Sequence, residues 1–520
     1  MKKSLFLIPL ASLAVGARLS AQQEPKPVRD AAATITAADV ERRLRIIAHD
    51  SMGGRDTPSD GLNKTAQYVA DEFRRFGLRP GGENGTYFQR YAIERRKFDA
   101  AASSVMAMGP GGHMQVGFAG QAWFVNGASP AAPVTGEAVV LGTLAPAAQV
   151  DRAAVQGKVV LVVADYTKAQ PAGAQAIYRG LREAGALAII RISNRDSTQF
   201  TTMSMRMGGQ DRVVVGGQAP SAPIIEVRDG FVAGMGIDLA AIRGGAADLR
   251  PVAGTTITIT LKETVLESTT APNTIGILEG SDPVLKNEYM VFSAHMDHIG
   301  TAGRGSGQCQ AMGADSICNG ADDDGSGTVG VLEVAEAFAR RGVRPKRSMI
   351  FMTVSGEEKG LWGSAYFAEH PTVPLQNVVA DFNVDMIGRN WEDTVVAIGR
   401  QHSDLGQVLD ATAARHPEIG IVPIDDRWPS ENFYGRSDHF NFARKGVPVL
   451  FFFTGVHEDY HKASDQVEKI GFSKEARILQ LLFYTSYAVA QNPVRPQWTP
   501  ESWDRIVEPA AKAARAGTSR

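Results

Sequence analysis

The stretch MIFMTVSGEEKGLWGS, residues 349–364, joins an apolar run to two adjacent carboxylates. The run 349–354 is typical of a buried strand, and Gly356 ends it just before Glu357 and Glu358. Neighbouring side chains at a strand end point in different directions. One carboxylate is therefore free to bind a metal ion while the other moves a proton.

Segments of the same kind alternate along the chain from residue 273 onward. Predicted strands cover 274–278, 289–294, 348–354, 378–384, 394–398 and 448–453, and predicted helices cover 328–341, 362–369, 404–415 and 473–491. This alternation predicts an α/β fold with a mostly parallel, doubly wound sheet that helices flank on both faces. Ligands of such sheets bind beyond the carboxyl ends of the strands.

Composition divides the chain into five segments. Residues 1–21 carry Lys2 and Lys3 before a short apolar run, which predicts a signal peptide and hence a secreted or periplasmic protein. Residues 30–116 and 266–495 are predicted to form one discontinuous catalytic domain. Residues 117–265, with short β-branched runs between glycine, proline and alanine, are predicted to form an inserted β-rich domain. The remaining 496–520 are predicted to be a C-terminal tail.

Overall charge and cysteine content limit the partners and the compartment that the sequence predicts. The net charge of −2 over 520 residues gives no general attraction to nucleic acid, and no later stretch predicts a membrane span. The two cysteines, Cys309 and Cys318, lie nine residues apart, which in an exported protein favours a disulfide. Two free thiols and a cysteine pair on a metal are the alternatives.

Metal-binding side chains follow several of the predicted strands, at what is expected to be one end of the sheet. They are His295, Asp297 and His298, the aspartates 322–324, Glu357 and Glu358, Asp385, and His461. Neutral imidazoles and carboxylates suit zinc, and a shared carboxylate can bridge two ions as in two-metal hydrolases. Asp297, two residues after His295, is placed to fix the tautomer of that imidazole or to orient a neighbouring group.

The order and spacing of these residues resemble a known family. His295-x-Asp297, the run GADDDGSG at 320–327, Gly356-Glu357-Glu358, Val384-Asp385-Met386, Ser437-Asp438-His439 and His461 resemble the co-catalytic dizinc aminopeptidases related to bacterial leucyl aminopeptidase and glutamate carboxypeptidase. The resemblance implies two zinc ions per chain bound by His295, Asp322, Glu358, Asp385 and His461.

The resemblance also implies a role for each site residue. Asp322 would bridge the two ions, with His295 and Asp385 on one zinc and Glu358 and His461 on the other. Glu357 resembles the general base that takes a proton from the metal-bound water. Tyr434, three residues before Ser437, matches a tyrosine that in some relatives binds the tetrahedral oxyanion.

The inserted domain has a resemblance of its own. GKVVLV at 157–162 and AGALAII at 184–190 resemble a protease-associated domain, a lid or interaction module found inside several peptidases. This resemblance implies a protein partner or a dimer contact through residues 117–265.

Together these patterns predict an exported zinc exopeptidase that removes N-terminal residues from peptide substrates. The alternatives are a carboxypeptidase or dipeptidase on the same fold, a glutaminyl cyclase with one zinc, and a non-catalytic zinc-containing binding protein. Asp322, Asp324, Ser326 and Glu333 also match an EF-hand calcium loop, but no helical pattern precedes them.

Overall fold

The computed structural model describes residues 24–142, 150–168, 174–208, 210–217, 221–245, 249–303 and 307–517. The predicted signal peptide, residues 1–21, lies outside these ranges. The chain divides into two compact units. The first unit comprises Met1–Gln89 with Pro272–Arg520, and the second comprises Arg90–Ala271.

The strands and helices are numbered along the chain. The strands are β1 (Arg79–Pro80), β2 (Phe88–Phe98), β3 (Ser104–Gly109), β4 (Gly112–Gly117), β5 (Ala122–Asn126), β6 (Val134–Leu141), β7 (Val159–Val163), β8 (Ala188–Ser193), β9 (Asp211–Val215), β10 (Ile224–Arg228), β11 (Leu249–Thr260), β12 (Glu263–Leu278), β13 (Tyr289–His295), β14 (Ser348–Val354), β15 (Val378–Val384), β16 (Thr394–Ile398), β17 (Val422–Ile424) and β18 (Val449–Phe453). The α-helices are α1 (Lys26–Ala32), α2 (Ala37–Ile47), α3 (Asp60–Arg75), α4 (Arg152–Val155), α5 (Ala174–Glu183), α6 (Ser197–Gly208), α7 (Leu239–Gly244), α8 (Gly327–Ala339), α9 (Trp362–Glu369), α10 (Leu405–Arg415), α11 (His439–Arg444), α12 (Phe472–Gln491), α13 (Pro500–Ile506) and α14 (Pro509–Gly517).

The sheet of the first unit has the strand order β17-β16-β18-β15-β13-β14-β12. The four central strands β18, β15, β13 and β14 are parallel, whereas β12 and β16 pair antiparallel with their central neighbours. The strands and helices predicted from residue 273 onward are present within two residues of the predicted bounds, except that β12 already begins at Glu263. The predicted α/β fold is therefore confirmed.

Apolar layers cover both faces of this sheet. On one face Phe292, Phe351 and Phe382 are buried under helices α2, α3, α8 and α12. On the other face Val291 and Ile350 pack with side chains of α9 and α11. The central strands are buried on both sides, which explains why their sequences are almost continuously apolar.

The second unit contains a separate mixed sheet with the order β4-β3-β11-β6-β7-β8-β10-β5. Strands β6, β7, β8 and β10 are parallel, and β9 pairs antiparallel with β2. This unit begins 27 residues earlier than position 117, at Arg90. The early boundary arises because β3 pairs with β11 and β4 pairs with β3, although the sequence 90–116 lacks the β-branched pattern of the later strands.

The predicted C-terminal tail is instead helical over much of its length. Residues 500–506 and 509–517 form α13 and α14. The indole of Trp498 donates a hydrogen bond to the carbonyl of Gly446 over 3.1 Å, and Ile506 packs against the apolar layer under α9 and α11. Apolar side chains spaced among polar ones in this short segment give too weak a helical pattern to be recognised.

Cys309 and Cys318 form a disulfide, so the favoured pairing is confirmed. The two cysteines pack with Ile299 and with Ala463, which lies two residues after His461. Within the described part of the chain, no helix has the length and apolar content needed to cross a bilayer.

Candidate metal centre

Acidic and imidazole side chains converge at the carboxyl ends of the central strands of the first unit. Two groups of potential metal ligands meet there, the first formed by His295, Glu357 and Asp385 and the second by His298, Asp323 and Glu358. His461 approaches the second group, because its Nε2 lies 3.1 Å from Glu358 Oε2 and 3.2 Å from Asp323 Oδ2. The structure thus brings together predicted site residues from four separate segments, namely His295, Glu357 with Glu358, Asp385, and His461.

His295 is the last residue of β13 and is held from several sides. Its backbone N–H donates to Asp324 Oδ2 over 3.1 Å, and its carbonyl accepts the Thr328 hydroxyl over 2.8 Å. The ring Nδ1 lies 3.1 Å from the carbonyl oxygen of Asp297 and 3.7 Å from the Asp297 carboxylate. Nε2 is thereby directed toward the cluster, where it lies 3.3 Å from Asp323 Oδ1.

Asp297 contacts the turn at Glu357 as well as the imidazole of His295. Its carboxylate accepts the Thr57 hydroxyl over 3.0 Å and the backbone N–H of Glu357 over 3.3 Å. The Thr57 hydroxyl in turn accepts the backbone N–H of Gly356 over 3.1 Å. Asp297 therefore ties the end of β13 to the turn that carries the two glutamates.

The three consecutive aspartates that precede α8 point in three directions, and this corrects one predicted ligand. Asp323, and not Asp322, lies between the two groups, within 3.3 Å of both His295 and His461. Asp322 instead accepts the backbone N–H of Gly388 over 2.6 Å and lies 3.3 Å from His457 Nε2. Asp324 accepts backbone N–H groups of His295, Gly327 and Met386.

Interactions outside the cluster fix this arrangement of the aspartates. The Asp465 carboxylate accepts the backbone N–H groups of Asp322 and Asp323 over 3.0 and 3.2 Å. Arg55, fully buried, donates to the carbonyls of Met296, Asn319 and Gly320 and so holds the loops on either side. Asp465 and Arg55 lie far from the aspartates in sequence, and no local pattern marked either of them.

The positions of the aspartate side chains also argue against the EF-hand calcium loop. Asp322 and Asp324 accept backbone N–H groups, and residues 321–326 form an irregular segment, non-helical at Asp323 and Asp324, that leads into α8. Glu333, which would be the last calcium ligand, instead forms an ion pair with the buried Arg43. These side chains do not converge on one point as EF-hand ligands must.

Glu357 and Glu358 follow β14 in a short turn whose first residue, Gly356, has φ 74°. The Glu358 carboxylate faces His461, and its Oε1 lies 2.7 Å from His298 Nδ1. Glu357 faces the other group, with His295 and Asp385. The two neighbouring carboxylates therefore face different groups, as expected for adjacent residues at a strand end.

Asp385 and His461 close the cluster from the remaining elements. Asp385, just after β15, accepts the Ser437 hydroxyl over 2.9 Å and lies 3.7 Å from His295 Nε2. His461 lies in a loop after β18 and adopts φ 58°, a left-handed conformation that is costly for a residue with a side chain. Its ring stacks on Tyr460 with centroids 3.8 Å apart.

Burial and neighbouring charges shift the pKa values of side chains in the cluster. Burial disfavours charge on the His461 imidazole, but the Asp323 and Glu358 carboxylates outweigh it and raise its pKa to about 10. Burial raises the pKa of Glu357 well above its ordinary value, and the Glu358 carboxylate adds to this against the opposing effect of His295.

The donor set fits zinc. Nε2 of His298, Nε2 of His461 and Oδ2 of Asp323 are buried and make no hydrogen bond within the described part of the chain. A shared cation stabilises buried imidazole nitrogens and carboxylate oxygens that are left without a hydrogen bond, and these donor types suit zinc. Asp323 lies between His295 of the first group and His461 beside the second.

A pocket opens beside this cluster. Its lining corrects the predicted position of Tyr434. Its lining comprises His295, Asp323, Glu357, Glu358, Asp385, Met386, Phe433, Arg436, Ser437, Phe451, Phe453, Val456 and Tyr460. Tyr434 is not among these residues; its ring packs on His402 and His439 with centroids 4.6 and 5.3 Å apart. Phe433 and Tyr434 are adjacent in one tight turn, and Phe433 takes the side that faces the pocket.

Tyr460, and not Tyr434, is the tyrosine among the described residues that line the pocket. Burial raises the pKa of its hydroxyl, and the carboxylates of Asp323, Glu358, Glu357 and Asp385 raise it further. The hydroxyl therefore stays protonated and remains a hydrogen-bond donor near these groups. Its position directly before His461 in the sequence is the one signal that could have identified it.

Residues 273–486 match the sequence profile of peptidase family M28. Two curated relatives match at modest identity. The leupeptin-inactivating enzyme 1 of Streptomyces exfoliatus is 29% identical over 215 residues, which cover 41% of this chain and 42% of that protein. The aminopeptidase YwaD of Bacillus subtilis (strain 168) is 25% identical over 247 residues, which cover 46% of this chain and 49% of that protein. The chain spans about half the length of the curated relatives it matches.

Solved structures of similar proteins extend the comparison over more of the chain. The aminopeptidase from Aneurinibacillus sp. strain AM-1 is 18% identical, with a TM-score of 0.46, and the match covers 88% of this chain and 95% of that one. A zinc aminopeptidase from Bacillus subtilis is also 18% identical, with a TM-score of 0.44 and coverage of 87% and 95%.

Proposed function

We propose that the chain is a zinc-dependent aminopeptidase that removes single residues from the amino ends of peptides, and the match of residues 273–486 to peptidase family M28 supports this. The observation that carries this proposal is the position of Asp323 between His295 and His461, with Glu357 in the same pocket. A general base beside two groups of zinc ligands is the arrangement that peptide hydrolysis needs.

Five side chains would hold two zinc ions. His295 and Asp385 would bind the first ion, Glu358 and His461 the second, and Asp323 would bind both. His298 is closer to Glu358 than to any other ligand, at 2.7 Å, and would fix the orientation of that carboxylate. The chemistry that zinc supplies when bound is Lewis acidity, which polarises a carbonyl and makes water more acidic.

The protein residues move the proton and orient the substrate. Glu357 would take a proton from the attacking water and pass it to the leaving amine, because it is the acidic residue of the pocket that no zinc needs. Tyr460 would donate a hydrogen bond to the carbonyl oxygen as negative charge develops there. The carboxylates that line the pocket favour the positively charged amino end of a peptide.

Glu357→Gln tests this assignment. The variant should keep its zinc and lose activity on aminoacyl substrates by roughly 100- to 10,000-fold, because glutamine cannot transfer the proton. Glu501→Gln, at an exposed surface position, is the matched control and should remain active. Full activity of a zinc-loaded Glu357→Gln protein would refute the mechanism.

Metal content and substrate chemistry separate the remaining alternatives. One zinc per chain in a fully active preparation, with cyclisation of N-terminal glutamine, would indicate a glutaminyl cyclase. Hydrolysis of N-acetylated peptides as fast as free peptides would indicate a carboxypeptidase. Absence of hydrolysis across a broad panel, with zinc loaded, would indicate a binding protein.

Export and the role of the inserted domain belong to the same proposal. The apolar leader of residues 1–21 and the disulfide Cys309–Cys318 both support a secreted or periplasmic location, since disulfides persist in oxidising compartments. The second unit would act as a protease-associated module that binds a partner or a second copy. Its deletion should then leave zinc binding intact and alter substrate range or assembly.

A further inference from the structure

Arg436 lines the same pocket as Glu357 and the predicted zinc ligands. Among the described lining residues it is the only arginine or lysine. The other charged groups there are carboxylates and the imidazole of His295. The presence of a single guanidinium among these carboxylates therefore has to be explained.

The backbone and ring contacts of Arg436 hold it at a defined place. Its guanidinium lies over the ring of Phe433, 4.6 Å from the centroid, and its backbone N–H donates to the Phe433 carbonyl over 3.0 Å. The next residue, Ser437, donates its hydroxyl to Asp385. Arg436 is therefore connected through one peptide bond to the residue that orients a predicted zinc ligand.

The charge of Arg436 is poorly matched within the protein. The carboxylate of Glu431 lies 3.8 Å away, and the two side chains are 45% and 60% exposed. An exposed ion pair at that distance contributes little. In contrast, Phe451 and Phe453 are each 2% exposed and form the deep apolar part of the pocket. Arg436 and the exposed Val456 therefore lie at the mouth of the pocket.

We infer that Arg436 binds a substrate carboxylate on the leaving-group side of the scissile bond. This rests on the proposed aminopeptidase function. The first side chain of the peptide would enter the apolar part of the pocket, so the remainder of the peptide leaves through the mouth past Arg436. A guanidinium recognises a carboxylate through paired N–H donors.

Two sources can supply this carboxylate, and four peptides distinguish them. Leu-Ala against Leu-Ala-amide tests the C-terminal carboxylate of a dipeptide. Leu-Glu-amide against Leu-Gln-amide tests an acidic side chain in the second position. In the wild-type protein at low salt, one carboxylate peptide should have a kcat/KM roughly 3- to 10-fold above its neutral partner, and the preference should shrink as salt rises.

Arg436→Gln should abolish that preference while hydrolysis of the neutral peptides continues. Arg427→Gln is the matched control. Arg427 is an exposed arginine of the same region that stacks on Trp391 at 5.4 Å and is not among the pocket-lining residues. The control should retain the full preference. Equal effects of Arg436→Gln on the acid and neutral members of both pairs would overturn the inference, as would a wild-type protein without any preference.

Binding of an uncleavable ligand separates this inference from the proposed function. Calorimetric titration of the zinc-loaded protein with the reduced-bond dipeptide Leu-ψ(CH2NH)-Ala, as acid and as amide, measures carboxylate recognition without hydrolysis. Tighter binding of the acid that depends on Arg436 supports the inference even if no peptide is cleaved, in which case the proposed function fails alone. Hydrolysis of all four peptides without a carboxylate preference in either pair, together with equal binding of acid and amide by both proteins, removes only the inference.

Discussion

The aspartate triplet 322–324 shows how much can depend on one position. Three identical side chains in a row have the same chemistry, yet the structure directs only Asp323 into the metal cluster. Asp322 and Asp324 bind backbone N–H groups instead. The side chain that would bridge two zinc ions is thus selected by the fold around the triplet.

Paired substitutions of the triplet test that selection. Asp323→Asn should lower zinc affinity by more than about 100-fold, beyond the range usual for residues that only support ligands. Asp322→Asn should lower it by less than about tenfold, because the amide oxygen can still accept the Gly388 N–H. Zinc per chain after dialysis, measured by mass spectrometry of the metal, gives the comparison. Loss of zinc from Asp322→Asn with full retention in Asp323→Asn would reverse the assignment.

At the scale of elements, strand β15 carries a buried hydrogen-bonded chain to the cluster. Ser293 donates its hydroxyl to Asp381, and this hydroxyl lies 2.8 Å from the side-chain amide oxygen of Asn383. Asn383 donates to the Ser437 hydroxyl over 3.0 Å, and Ser437 donates to Asp385 over 2.9 Å. The chain begins at Asp381, whose second carboxylate oxygen is buried and makes no hydrogen bond within the described residues.

Asp381 should make stability depend on pH. Burial raises the pKa of its carboxyl well above the ordinary value, and the Asp438 carboxylate adds to this against the Ser293 hydrogen bond. The unfolded chain ionises near pH 4. The stabilising contribution of the protonated carboxyl is therefore complete below about pH 4 and is lost as the pH rises through the folded-state pKa.

Asparagine at this position would mimic the protonated carboxyl at every pH. We expect Asp381→Asn and the wild type to be about equally stable near pH 4, and the variant to be more stable by about 1 to 3 kcal/mol at pH 8. Urea unfolding of the zinc-loaded proteins at several pH values measures the difference. Asp504→Asn, an exposed control, should show no such trend. A stability difference that does not change with pH would show that Asp381 is ionised in the fold.

At the scale of the whole molecule, zinc should stabilise one unit and not the other. The predicted ligands all lie in the first unit, and binding to the folded state stabilises it by about 2.7 kcal/mol at a free zinc concentration 100 times Kd. After chelation, hydrogen exchange should accelerate in peptides around residues 295–298, 321–326 and 457–461. Peptides from the second unit, residues 90–271, should exchange at unchanged rates. Uniform acceleration in both units would contradict this localisation.

The sequence could predict the fold of the first unit because its strands are apolar runs with sharp ends. His295, Glu357 and Asp385 each stand at or just after the end of a parallel strand, so the same pattern predicts that they meet. The choice among three aspartates, and between Tyr434 and Tyr460, depends on loop geometry instead. The start of the second unit at Arg90 depends on strand pairing with residues more than 140 positions away, which no local pattern contains.

The most direct test of zinc-dependent aminopeptidase activity is a peptide-library digestion read by mass spectrometry. Native, chelated and zinc-restored protein would each be given the same peptides with free and with acetylated amino ends. We expect the native and zinc-restored protein to shorten free peptides one residue at a time from the amino end, and to leave acetylated peptides intact. The chelated protein should leave both sets intact. Shortening from the carboxyl end, equal cleavage of acetylated peptides, or cleavage that survives complete zinc removal would contradict the proposed function.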